Sequence, residues 1–305
     1  MTVGQLAANA ESPLLERLGR YVSLLKIRPM SAVIYAAIIG YLCAPVSAGV
    51  LVGIGAILCI ALGGGGAAAL NMWFEADVDA RMARTRRRVL VSGRMQAPKA
   101  LVFGSALCVG SALSMWAIAG PAAALMLCAT MGAYFGLYTV ALKRWTPHSV
   151  TIGGALAGVL TPLTGWVSAT GSLDGSALVL FAFVFFWTPP HVWSQASFRV
   201  RDYARAGVPM MPVHAGQRST ARWILAYTLV HSLAALLPVA LGEATWAYGA
   251  LAFSGGAVLS SAAYRMHRAI ADNEIEARSR PFFRLSITYL MILLTALAVD
   301  RAFLL

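Results

Sequence analysis

Asn71, Glu75 and Asp79 stand at positions i, i+4 and i+8, where an apolar run of about twenty residues gives way to charge. Helical pitch through this stretch puts all three side chains on one face. Arg81, Arg84, Arg86, Arg87 and Arg88 follow directly. Carboxylates and guanidiniums are costly to hold at or near membrane depth, so such a cluster is functional by default. The chemistry it suits is a hard divalent cation shared with phosphate oxygens, because Mg²⁺ takes one or two carboxylates and leaves the rest of its shell to substrate and water.

A second cluster lies far along the chain. Trp187-Thr188-Pro189-Pro190-His191-Val192-Trp193 ends another apolar segment, and Arg199, Arg201, Asp202 and Arg205 follow. Paired prolines are expected to break the helix and free carbonyls, which is tolerated where backbone lines a cavity. Asp202 reads either as a local ion pair with its arginine neighbours or as the second jaw of a metal–diphosphate site. Two acidic clusters on the same side of a membrane favour the second reading. Between them, Lys143 and Arg144 sit beside Tyr134 and Tyr138; on their own they read as topology-setting charges.

The elements that must position these residues follow from composition. Of 305 residues, 59% are hydrophobic and 12% charged, with a mean hydropathy of +0.71. Soluble domains carry about a quarter charged residues, so this composition specifies an integral membrane protein. Nine apolar segments can be drawn, roughly 30–48, 51–72, 99–119, 121–141, 149–169, 176–194, 222–241, 244–264 and 284–304. Each approximates the ~20 residues that cross the hydrocarbon core. With the N-terminus inside, every Lys and Arg except Arg301 falls on the cytoplasmic side, as the positive-inside rule requires. The expected fold is all-α: a polytopic membrane protein with nine transmembrane helices bundled around a central chamber, N-terminus cytoplasmic and C-terminus outside. The net charge of +12 reports orientation and attraction to anionic lipid. Its basic residues are split among separate loops, so no nucleic-acid partner is implied.

Residues 1–29 read as a tail and an amphipathic interfacial segment, with Leu14, Leu15, Leu18, Tyr21, Val22 and Leu25 interleaved with Arg17, Arg20 and Lys26. Residues 30–305 read as the intramembrane catalytic domain. Ala8-Asn9-Ala10 resembles a signal-peptidase site but follows no apolar region, so no cleaved signal is expected. The inner loops 75–98 and 195–221 carry the candidate chemistry, whereas 265–283 reads as a solvated connector. Gly63–Gly66 and Gly153, Gly154 and Gly158 suit close helix contact. Cys43, Cys59, Cys108 and Cys128 lie in apolar runs without metal-ligand spacing and read as reduced and structural.

Four segments together carry a resemblance. Asn71…Glu75…Asp79 with Met82-Ala83-Arg84-Thr85, Tyr138-Thr139 with Leu142-Lys143-Arg144, Thr188-Pro189-Pro190-His191, and Asp202-Tyr203-Ala204-Arg205-Ala206-Gly207-Val208-Pro209-Met210-Met211-Pro212-Val213 are similar to the heme O synthases (protoheme IX farnesyltransferases). These form a branch of the UbiA superfamily of intramembrane prenyltransferases. The motifs run from about residue 21 to 220, and the span pattern continues to the end. The carboxylate spacing marks the superfamily; the Pro-His segment and the Asp-Tyr block mark the heme branch. Glu75 departs from the usual Asp, Val89 from a frequent Pro, Thr161 from the first of a Pro pair before Pro162, and Ser149 from a common Asn.

The resemblance implies a Mg²⁺-dependent transfer of a farnesyl group from farnesyl diphosphate to a vinyl group of heme b, giving heme O for terminal oxidase assembly. By that likeness Asn71, Glu75, Asp79 and Asp202 hold the metal and form the catalytic set. Arg84, Lys143, Arg199 and Arg201 bind the diphosphate. Of the histidines His148, His191, His214, His231 and His267, His191 belongs to the Pro-His motif and, with Trp187, is the candidate for contact with heme. Trp73 and Trp166 either flank a porphyrin or anchor the interface. The implied partners are farnesyl diphosphate, heme b and the lipid bilayer, with heme A synthase or a terminal oxidase left open downstream. The implied location is a bacterial-type inner membrane, with the site facing the cytoplasm. Two alternatives stand beside this: the same fold acting on a quinone precursor or chlorin, and a cation-coupled transporter. Transporter coupling sites lie near the bilayer midplane, whereas these acids sit at one end beside Arg-rich loops.

Overall fold

A computed structural model describes residues 13–269 and 274–304. Among them every regular element is helical: α1 (Pro13–Leu24), α2 (Ile27–Leu42), α3 (Val50–Phe74), α4 (Ala76–Arg81), α5 (Ala97–Met131), two π-helical segments (Gly132–Leu142 and Val150–Gly154), α6 (Ala155–Thr170), α7 (Gly175–Ser197), α8 (Val200–Arg205), α9 (Met211–His214), α10 (Gly216–Ala234), α11 (Leu237–Ala240), α12 (Trp246–Arg268) and α13 (Ile275–Leu304). Backbone polar groups cannot be left unpaired in hydrocarbon, and a helix satisfies them within one segment. Ala8-Asn9-Ala10 and most of the expected tail lie outside the described residues, as do Asp272 and Asn273.

Among the described residues six helical runs are long and apolar enough to cross a membrane: Val50–Phe74, Ala97–Leu142, Val150–Thr170, Gly175–Ser197, Gly216–Ala240 and Ile275–Phe303. Leu14–Leu24 and Ile27–Leu42, bent by 57°, make a seventh if taken as one broken span. The chain is a multi-pass membrane protein. The segments drawn as 99–119 and 121–141 form a single run of 46 residues, interrupted at Gly120 with φ 85° and ψ 177°. Glycine adopts that φ at little steric cost, and Pro121 has no N–H to continue the ladder, so the helix turns there without a loop.

Two expectations fail. Pro189 and Pro190 do not break their span, since α7 runs on to Ser197. Both prolines are buried, and neighbouring helices hold the segment helical. The connector drawn to residue 283 is already helix from Ile275 onward. Its first turns are charged, so no apolar run announces them.

Close approach fixes the elements that carry the candidate residues. A Cβ on Gly66 of α3 would lie 2.8 Å from the Gly104 carbonyl oxygen of α5, so only glycine lets these helices touch just ahead of Asn71. A Cβ on Gly153 would lie 2.8 Å from Tyr138 Cα, which seats the two π-helical segments against each other. The core between α6, α7, α10 and α13 is filled by Trp166, Phe181, Phe183 and Trp193. The four cysteines are free thiols. In α1, Leu14, Leu15, Leu18 and Val22 are exposed while Leu24 is fully buried.

Candidate active site

α3 ends at Phe74, and Glu75, at φ −98° and ψ 13°, turns the chain into α4. The hydrogen-bond ladder continues through the junction: the Glu75 N–H donates to the Asn71 carbonyl (3.0 Å) and the Asp79 N–H to the Glu75 carbonyl (2.8 Å). Asn71, Glu75 and Asp79 are all buried, at 2%, 2% and 4% exposure. A buried charge is sustained only by partners, and each of these residues has one.

Asn71 Nδ2 donates to Glu75 Oε2 (2.9 Å) and to Thr139 Oγ1 (3.0 Å), and Asn71 Oδ1 accepts from Lys26 Nζ. Glu75 Oε2 also accepts from Lys143 Nζ at 2.6 Å. The other carboxylate oxygen, Glu75 Oε1, is buried without a partner. Asp79 pairs with Arg88 at 2.5 Å, and the Asp79 carbonyl accepts from Thr85 Oγ1 (2.9 Å). Asp77 belongs elsewhere: it faces Arg144 at 2.7 Å with about half its side chain exposed. Arg144 also donates to the Phe74 carbonyl (2.8 Å), capping the end of α3.

The adjacent basic residues therefore divide, Lys143 to the buried acids and Arg144 to the helix end. The π-helical winding of Gly132–Leu142 delivers Thr139 and Lys143 to this point, and the Lys143 N–H closes an i−5 bond to the Tyr138 carbonyl at 2.9 Å. Lys26 occupies the left-handed region at φ 50° and ψ 52°, the only described non-glycine residue with positive φ. That backbone costs roughly 1–2 kcal/mol, offset here by delivery of its ammonium to Asn71. No motif marked Lys26; a lone lysine between two helices looks like any topology-setting charge.

Charges answer to these surroundings. Burial, and after it the cations Arg88 and Lys143, push the Lys26 ammonium down to about 7. Burial also works to lower Lys143, but the facing Glu75 carboxylate outweighs it and leaves that ammonium above its ordinary range. Burial raises Asp77, yet the Arg144 hydrogen bond wins and holds its carboxyl below the usual range. Arg199 is lowered by burial first and then by Arg84.

Asp202 is set apart from Glu75 and Asp79. With Arg84, Arg199, Arg201 and Arg205 it lines a cavity of about 710 Å³, closed on another side by Glu276, Arg280, Phe283 and Arg284 of α13. Among the described residues, Asp202 and all six of these arginines lack a close ion pair, although the Asp202 charge still acts on Arg199 and raises it. Nor, among the described residues, do any three His, Cys, Asp or Glu side chains converge closely enough to hold a metal. The α13 wall is built from charged turns that precede the apolar part of that helix, so composition alone does not mark it.

His191 and Trp187 are brought together. Their rings stack at 4.2 Å, and Phe283 stacks on the other face of His191 at 4.5 Å. Ser286 orients both: its Oγ bonds His191 Nδ1 (2.9 Å), and its carbonyl accepts from Trp187 Nε1 (2.9 Å). Trp166 is fully buried within the core, so interfacial anchoring does not describe it.

A model of the UbiA prenyltransferase family matches residues 32–287. The chain belongs to the UbiA prenyltransferase family. It is 42% identical to the protoheme IX farnesyltransferase of Granulibacter bethesdensis over 309 residues, covering 98% of this chain and 96% of that one. It is 44% identical to the protein of the same name from Rhodopseudomonas palustris, covering 92% and 89%. Among solved structures, a digeranylgeranylglyceryl phosphate synthase superposes with a TM-score of 0.76 at 16% identity, covering 94% of this chain and 99% of that one. A UbiA homologue from Archaeoglobus fulgidus bound to GPP and Mg²⁺ gives a TM-score of 0.63 at 15% identity, covering 90% and 99%. At such identities the structural likeness speaks for the fold.

Within this UbiA fold, the test of fit for a divalent metal rests on Glu75. A buried carboxylate oxygen without a partner is a hard oxygen donor of the kind Mg²⁺ takes, and one or two carboxylates suffice. The residues fit the ion.

Proposed function

We propose that this chain transfers the farnesyl group of farnesyl diphosphate to a vinyl group of heme b in a Mg²⁺-dependent reaction, giving heme O. The observation that carries the reading is Glu75, which is buried, faced by Lys143 and left with one free oxygen. The names of relatives at 42–44% identity supply the acceptor.

Asn71, Glu75 and Asp79 would hold Mg²⁺ on one side of the diphosphate and Asp202 on the opposite side, and the metal when bound supplies charge neutralisation to the diphosphate. Lys143, Arg84, Arg199 and Arg201 stabilise the negative charge that grows on diphosphate as its C–O bond to the farnesyl carbon breaks and the electron pair leaves with oxygen. The helix walls exclude water from the allylic cation. The vinyl π-electrons of heme form the new C–C bond. Water then adds to the cation left on the vinyl carbon next to the ring and loses one proton, which completes the hydroxyethylfarnesyl side chain. His191 and Trp187 lie against the acceptor.

In this proposal the chain crosses the membrane nine times with its N-terminus inside. The 46-residue run would be about 69 Å long as one helix, more than twice the hydrocarbon thickness, so it counts as two spans meeting at Gly120. Residues 1–29 form the interfacial segment and 30–305 the catalytic domain. The site faces the cytoplasm of a bacterial-type inner membrane, and the product passes to a heme A synthase or a terminal oxidase. Purified protein given Mg²⁺, farnesyl diphosphate and heme b should yield heme O by mass spectrometry. Turnover of a quinone precursor with no heme O would replace the acceptor.

A further inference from the structure

The cavity beside Asp202 has two walls from different parts of the chain. Arg84 comes from the loop after α4, Arg199 from the N-terminal cap of α8 and Arg201 from α8 itself, and the reading above gives them to diphosphate. Arg280 and Arg284 come from α13, one helical turn apart, and no role has been attached to them. Between them in sequence stands Phe283, whose ring lines the same cavity and stacks on His191 at 4.5 Å, with Trp187 behind it at 4.2 Å. Two guanidiniums thus border the start of an aromatic wall that leads into α7. Neither has a carboxylate partner among the described residues.

We propose that Arg280 and Arg284 bind the carboxylates of the acceptor, while the apolar ring system of that acceptor runs along Phe283, His191 and Trp187. The ligand class is a flat, largely apolar macrocycle with acidic groups on one edge. Guanidinium forks match carboxylates bidentately, and the Phe283 ring in the cavity wall, with the edge of the stacked His191 and Trp187 rings behind it, suits the flat apolar body. The division explains why one cavity holds more arginine than a diphosphate requires, with Lys143 already near the acids. It also orients the acceptor, since carboxylates held at the mouth leave the opposite edge pointing inward. This inference rests on the heme reading above.

The test compares heme b with its dimethyl ester, whose carboxylates are neutral, by Soret titration of the detergent-solubilised full chain. Wild type should bind heme b at least about tenfold more tightly than the ester, the equivalent of one charge-assisted hydrogen bond. Arg280→Gln/Arg284→Gln should abolish that preference, leave ester binding within about twofold, and leave the Kd for farnesyl diphosphate within about twofold. A double variant that keeps the preference, or one that loses diphosphate binding instead, overturns the assignment. A wild type that binds heme b and its ester alike overturns this inference alone. A wild type with no saturable heme binding overturns the acceptor reading itself.

Discussion

Lys143 Nζ lies 2.6 Å from Glu75 Oε2, and Glu75 Oε1, on the same carboxylate, is buried without a partner. One oxygen is neutralised by the protein and the other is left to a ligand. Lys143→Met would leave a buried carboxylate without its counter-ion and remove a cation from beside the diphosphate. Diphosphate release from farnesyl diphosphate should fall by at least about 10²-fold, with Lys143→Arg recovering part of it. Glu75→Asp should keep or raise activity, because both partners of Oε2 are side chains that can follow it inward. Steady-state diphosphate release measures all three.

The three acids between residues 75 and 79 are not equivalent. Asp77 is about half exposed and serves Arg144, so Asp77→Asn should cost about 0.5 kcal/mol or less and leave turnover within about threefold. Asp79→Ala and Asp202→Ala should each abolish metal-dependent diphosphate release. Wild-type turnover in either one would remove that residue from the proposed site.

His191 is held between two rings with Nδ1 on Ser286. His191→Phe keeps an aromatic ring in the stack, slightly larger than imidazole, and removes the ring nitrogens together with the bond to Ser286 Oγ. Affinity for heme b should drop by about tenfold and the Soret band of the complex should shift, with diphosphate binding unchanged. An unaltered Soret spectrum would take His191 out of contact with the acceptor.

Away from the site, Arg301 donates to Glu243 at 2.6 Å, and that hydrogen bond, opposed by burial and reinforced by Ser176, holds the Glu243 carboxyl below its ordinary range. A depressed carboxyl stabilises the fold above its unfolded-state value, and this stabilisation disappears as pH falls through the folded one. Thermal unfolding in detergent from about pH 6 to about pH 3 should therefore show an acid-side loss, below the ordinary carboxylate value, that is shallower in Glu243→Gln.

The sequence made some of this visible and hid the rest for physical reasons. Asn71, Glu75 and Asp79 stood out because charge at the end of an apolar run is costly, and helical spacing linked them. Their partners did not stand out. Lys26 and Arg88 look like ordinary interfacial cations until folding brings them to the acids, and Lys26 needs a backbone conformation that sequence rarely signals. The α13 wall escaped because Glu276 to Arg284 is too charged to read as part of a span. Pro189 and Pro190 misled in the opposite direction: their intrinsic tendency to interrupt a helix is overridden by the packing around α7. The π-helical winding before Lys143 leaves no compositional trace at all.

Asn71, Glu75 and Asp79 each already hold a protein partner, Lys26, Lys143 and Arg88 respectively. Their burial during membrane insertion therefore does not wait for metal. Biogenesis and loading become separate events, unlike small metal-nucleated domains in which the ion is the folding energy. Chelator should empty the site and stop turnover while the chain stays folded, lowering the unfolding temperature only by the mass-action share of the lost metal, and the chain should accumulate equally well in magnesium-starved cells.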